Sequence, residues 1–131
     1  MVCLETTFII DLLRKNENVG SILDKYKKSQ EEIFIATPSI MEIVKGAYLR
    51  FNSEIEAENI RRFLFAVNIL DFDQESAFKA GEIEANLRKK GEIIDLEDIM
   101  IAAIALKNNQ RLITNNVKHF ERIKGLQVEG Y

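Results

Sequence analysis

The stretch DLEDIMIAAIALKNNQRLITNN, residues 95–116, decides the fold of this chain. Its centre, IMIAAIAL at 99–106, is apolar on almost every side, the mark of a helix buried in a core rather than laid on a surface. Asp95 stands at the N-cap position, and Asp98 falls at the third helical position, where the helix dipole and reciprocal capping favour a carboxylate. After a polar break, residues 111–114 read as a strand.

Working outward, the same alternation runs through the rest of the chain. Residues 2–6 read as a first strand, followed by helical stretches at 8–15 and 21–28. The run EIFIA, 32–36, is a second strand closed by Thr37-Pro38, with Thr37 as N-cap and Pro38 as first residue of a helix to about Arg50. Ile40, Ile43, Val44, Ala47 and Tyr48 share one face of that helix and should pack on the sheet, with Glu42 pointing elsewhere. Residues 53–67 are helical, 69–72 a third strand, and 74–90 a long amphipathic helix stopped by Gly91. A short helix at 117–122 and an edge strand at 126–128 complete the pattern. Strand and helix in alternation predict an α/β domain with a mostly parallel sheet of four to five strands flanked by helices.

Composition bounds the function. A chain of 131 residues, 47% hydrophobic and 30% charged, fits a single folded domain, residues 1–131. The lone cysteine, Cys3, excludes an internal disulfide and a cysteine zinc site and points to a reducing, cytoplasmic setting. No apolar run is long enough to span a membrane, and the N-terminal stretch, with Glu5 and Asp11, does not read as a signal peptide. A net charge of −3 gives no global attraction to nucleic acid, so RNA binding would rest on local basic groups. Those are Lys25, Lys27 and Lys28; Arg61 and Arg62; Arg88, Lys89 and Lys90; and Lys118, His119, Arg122 and Lys124, each of which alone reads as a solvated helix face.

Ligands of an open parallel sheet gather beyond the carboxyl ends of its strands. Four places qualify: Glu5 after the first strand, Glu42 in the helix after the second, Asp98 at the head of the buried helix, and Asn115 and Asn116 after the fourth strand. Singly, Glu5 also reads as a solvated strand-end acid, Glu42 as an exposed helix residue and Asp98 as a helix cap. A buried helix, however, brings its first turn to the strand ends, where three acids can share one cleft. Ionised carboxylates in such a cleft repel and need a hard cation such as Mg²⁺ or Mn²⁺, which in turn points to phosphate chemistry. His119 is the only histidine, so a two-histidine mechanism is excluded, and its place in VKHFER argues against a Ser-His-Asp triad. There is no G-x-x-x-x-G-K-[ST], G-x-G-x-x-G or H-E-x-x-H motif, which leaves a carboxylate-only site.

The run GEIIDLEDIMIAAIALKNNQRLITNNVKHFERIKGL, with LETTFIIDLL and TPSIMEIVKGAY, resembles the PIN-domain family and, within it, the VapC-like toxins. The resemblance implies a PIN-like three-layer fold and a metal-dependent endoribonuclease leaving a 5′-phosphate and a 3′-hydroxyl, the toxin of a VapBC-type toxin–antitoxin pair. It implies catalytic residues Glu5, Glu42, Asp98 and Asn116, with Glu5, Asp98 and Glu42 on Mg²⁺ or Mn²⁺. Thr6 and Thr114 match the family's accompanying hydroxyls, and Asp95 sits close enough to substitute as a ligand. RNA, a small antitoxin and a second copy of the chain are the implied partners. Two positions depart: the family usually has Asp where Glu5 stands, and frequently Asp where Asn116 stands. Those departures motivate the alternative of a degenerate PIN domain that binds RNA or a protein without cutting. A third reading, scattered surface acids, expects no two of them near a common ion.

Overall fold

The computed structural model describes residues 1–51 and 53–131. Its strands are β1 (Val2–Leu4), β2 (Ile33–Ala36), β3 (Asn68–Leu70), β4 (Arg111–Ile113) and β5 (Val128–Glu129). Its helices are α1 (Thr6–Leu13), α2 (Glu17–Lys28), α3 (Thr37–Phe51), α4 (Glu54–Leu64), α5 (Gln74–Lys89), α6 (Leu96–Lys107) and α7 (Val117–Phe120). The five strands form one parallel sheet in the order β3-β2-β1-β4-β5. The first strand of the sequence is therefore central, with Leu4 in register with Ile35 on one side and Ile113 on the other.

A central parallel strand is covered on both faces, which is why every residue of β1 is apolar and buried. Alternate side chains serve opposite layers. Val2, Leu4, Ile33, Ile35 and Ile113 join the core under α1 to α4, whereas Cys3, Ala36 and Leu112 join the core of α5 and α6. The result is the three-layer α/β architecture expected from the alternation. Helix α6 is the most deeply placed, with Ile101 through Ala105 all at 0% exposure. Each of its buried isoleucines removes enough apolar area to stabilise the fold by ~1.5–3 kcal/mol. No described helix is long and apolar enough to cross a membrane.

Element ends differ from the sequence reading where side chains found other partners. Helix α2 starts at Glu17 because Asn16 Oδ1 accepts from the Val19 N–H, a cap that precedes the apolar pattern. Thr37 is not an N-cap: the helix begins on it, and its Oγ1 accepts from the Phe72 N–H at 3.1 Å, tying α3 to the exit of β3. Tyr48 is 43% exposed and lies off the packed face of α3, where Ile43 and Ala47 are buried. Helix α7 stops at Phe120, and β5 lies two residues later than expected, where Leu112 and Ile113 have partners. Tyr131 tethers the chain end to α1: its ring meets Phe8 edge-on with centroids 4.9 Å apart, and its hydroxyl donates to Asp11 Oδ2 at 3.0 Å.

Candidate active site

Glu5 is where the central strand becomes a helix. Its N–H still donates to Ile113 O across the sheet, at 3.0 Å, while its side chain caps α1. Glu5 is 3% exposed, and its Oε2 accepts from the Thr7 N–H at 3.2 Å, from the Thr7 hydroxyl and from the Thr114 hydroxyl at 2.9 Å. Thr114, fully buried at the end of β4, also accepts from the Asn116 N–H at 3.0 Å. Burying a carboxylate without such donors would cost several kcal/mol. The run Leu4-Glu5-Thr6-Thr7 thus supplies both the acid and part of its support.

Glu42 reaches the same place from α3. The Thr6 hydroxyl donates to its Oε1 at 2.8 Å and lies 3.0 Å from the hydroxyl of the fully buried Ser39. Burial raises the Glu42 pKa against the lowering effect of the Thr6 bond, and the charges of Glu5 and Glu97 raise it further. Asp98, the third residue of α6, is pushed up to about 6, first by burial and then by the charge of Glu5, with His119 opposing the shift and Glu42 adding to it. Glu5, Glu42 and Asp98 therefore lie beyond the strand ends close enough for the charge of Glu5 to raise the other two.

Each of the three acids is held through one oxygen. Protein donors occupy Glu5 Oε2, Glu42 Oε1 and Asp98 Oδ2; among the described residues no hydrogen bond reaches Glu5 Oε1, Glu42 Oε2 or Asp98 Oδ1. Three hard oxygens without donors in a negatively charged cleft are chemically suited to a divalent cation. Their spacing is looser than a closed site: among the described residues no three Asp, Glu, His or Cys side chains are set to hold a metal ion.

The remaining residues singled out in the sequence lie around this cleft with different roles. Asp95 is the N-cap of α6 by position, with its carbonyl accepting from the Ile99 N–H, but its exposed side chain makes no cap bond. Asn116 enters through its backbone; its exposed side chain does not cap α7. Asp98 does not complete a capping box. Its Oδ2 lies 2.9 Å from Nε2 of His119, whose Nδ1 lies 3.1 Å from Nη2 of Arg122. That His–Asp contact is not half of a serine triad, because the other ring nitrogen faces a guanidinium rather than a nucleophile. In the sequence His119 and Arg122 stood out only as basic groups for RNA, and Ser39 not at all. The available signal was a lone histidine three residues before an arginine, on the segment that follows β4.

The chain matches the PIN domain over residues 2–126. It is 29% identical over 125 residues, 95% of this chain and 92% of the relative, to the tRNA(fMet)-specific endonuclease VapC of Salmonella typhimurium. Among solved structures, VapBC2 from Rickettsia felis bound to a promoter DNA fragment superimposes with a TM-score of 0.91 at 28% identity, covering 100% of this chain and 99% of that one. VapBC-1 from nontypeable Haemophilus influenzae gives a TM-score of 0.84 at 32% identity, covering 99% and 98%.

Proposed function

The chain belongs to the PIN domain family, and we propose that it is an endoribonuclease of the VapC kind, the toxin of a toxin–antitoxin pair, cutting RNA with the help of Mg²⁺ or Mn²⁺. The observation that carries this reading is that Glu5, Glu42 and Asp98 each stand beyond the strand ends fixed through one oxygen, with the other left without a donor among the described residues. Relatives over nearly the whole chain are named as VapC nucleases, and the neighbouring structures contain VapB with VapC, which supports the RNA substrate and the antitoxin partner.

The metal reading follows from charge. A phosphodiester is an anion, and three clustered carboxylates repel it; hydrolysis there needs a cation. Glu5, Glu42 and Asp98 would hold that ion, with Asn116 offering a neutral amide oxygen and Asp95 a spare carboxylate at the rim. When bound, the ion supplies Lewis acidity toward a phosphoryl oxygen and makes water more acidic. The chain's own groups do the rest. Thr7 and Thr114 fix the arm of Glu5, Thr6 fixes that of Glu42, and the deep seating of α6 fixes the backbone of Asp98. A hydrolysis of this kind requires no side-chain nucleophile and leaves the RNA with a 5′-phosphate and a 3′-hydroxyl.

The antitoxin has a seat in this proposal. An open groove of about 530 Å³ between α1, α3 and α4 is lined by the apolar Ile10, Ile43 and Ala47 and by three basic residues, Arg14, Lys15 and Arg50, against one acid, Glu56. An apolar segment flanked by acidic residues fits it. A second copy of the chain is also part of the proposal, supported by exposed apolar side chains such as Leu49, Ile55 and Phe65.

A second reading, a degenerate PIN domain that binds without cutting, is favoured by the looseness of the three acids. One experiment separates the two. Purified protein is incubated with total tRNA in Mn²⁺, in Mg²⁺ and in chelator, and the RNA ends are mapped. Cleavage confined to the metal-containing samples is the expected result; bound but intact RNA in all three favours the degenerate reading.

A further inference from the structure

Asp98 differs from the other two acids in how it is held, since its partner is a ring rather than a hydroxyl. The ring is itself clamped. Arg122 Nε donates to the carbonyl of His119 at 3.2 Å, and Nη2 donates to Ile93 O at 3.2 Å while lying 3.1 Å from His119 Nδ1. The His119 N–H donates to Asn116 O at 3.1 Å, and the buried Phe120 ring stands edge-on to the imidazole at 5.3 Å. Arg122 thereby joins the segment leading into α6 to the segment that follows β4.

The donor inventory makes this arrangement specific. A guanidinium carries only N–H donors and stays protonated in proteins. At 3.1 Å from Arg122 Nη2, His119 Nδ1 must present its lone pair, because an N–H there would point at another N–H. The ring proton then sits on Nε2, which donates to Asp98 Oδ2 at 2.9 Å.

We propose that Arg122 and His119 form a positioning relay for Asp98: Arg122 holds the imidazole with Nδ1 turned to its guanidinium, and the Nε2–H fixes Oδ2 so that Oδ1 remains for the cation. Without it, the Asp98 side chain is free to turn back toward the N-terminal amides of its own helix, as acids at the third helical position commonly do. His119 and Arg122 are positioning residues, acting through Asp98. The relay rests on the reading of Asp98 as a metal ligand, and its test keeps the two apart.

The chain has a single histidine, so the imidazole ¹⁵N spectrum of labelled protein reports His119 alone. In metal-free wild type at pH 8, Nε2 should be pyrrole-like and Nδ1 pyridine-like. Arg122→Met should weaken Mn²⁺ binding about tenfold, the lower end of what loss of an outer partner costs a metal site. Arg122→Lys, which keeps a donor, should recover part of that affinity. An Nδ1–H ring in wild type overturns the relay, as does an Arg122→Met protein with unaltered Mn²⁺ affinity. Failure of wild type to bind Mn²⁺ would sink the metal-site reading instead, and the tautomer would still judge the relay.

Discussion

Asp98→Asn should cut RNA cleavage by about 10²-fold or more while making the metal-free protein more stable. The two effects have one cause. The Asp98 side chain is 17% exposed, and burial together with the charge of Glu5 raises its pKa from 3.8 to about 6. The native state therefore binds this proton more tightly than the unfolded chain does. The stability it contributes is full below about 3.8 and is lost as pH rises through about 6, so that at pH 7.5 the fold carries the whole cost of an ionised acid. An asparagine removes that cost and still presents an oxygen to His119 Nε2. The gain should be on the order of 2 kcal/mol, several degrees in melting temperature at pH 7.5, shrinking toward pH 4. Activity moves the other way, because a 10²-fold loss corresponds to ~2.7 kcal/mol of transition-state stabilisation once a charged ligand is gone. Equal melting temperatures at pH 7.5 for the two metal-free proteins would contradict the electrostatic account of the cleft.

Glu5 gives the second large effect. Glu5→Gln preserves shape and can still offer an oxygen to Thr7 and Thr114, but it places a neutral amide in the cleft; cleavage should fall about 10²-fold. Glu5→Asp keeps the charge, retains a strong helix N-cap residue and brings the arm to the length usual among VapC-like relatives. It should cleave as fast as wild type or faster. Rates compared across a Mn²⁺ titration separate charge from reach, and two variants that both matched wild type would make Glu5 a structural cap alone.

Much of the fold was legible because its decisive signals are local. The unbroken apolar run of α6 could only be buried, and alternation with short β-rich runs left few architectures besides a parallel sheet. The acids were legible for a related reason: Glu5, Glu42 and Asp98 lie where strands end and helices begin, which in such sheets converge. What escaped were contacts between segments distant in the chain. Thr37 looked like a cap, but its hydroxyl met Phe72 across 35 residues; Asp98 looked like half of a capping box, but His119 met it across 21. A side chain with a good local partner and a better distant one gives no hint in sequence of which it takes.

Whether Glu5, Glu42 and Asp98 hold a divalent cation, as proposed, is read most directly from Mn²⁺ binding followed by electron paramagnetic resonance. Wild type should take up at least one Mn²⁺ per chain saturably, with Mg²⁺ competing, and Asp98→Asn and Glu42→Gln should each weaken binding at least tenfold. Uptake that both variants leave unchanged, or the absence of uptake in a wild-type protein that cuts RNA in chelator, would contradict that proposal.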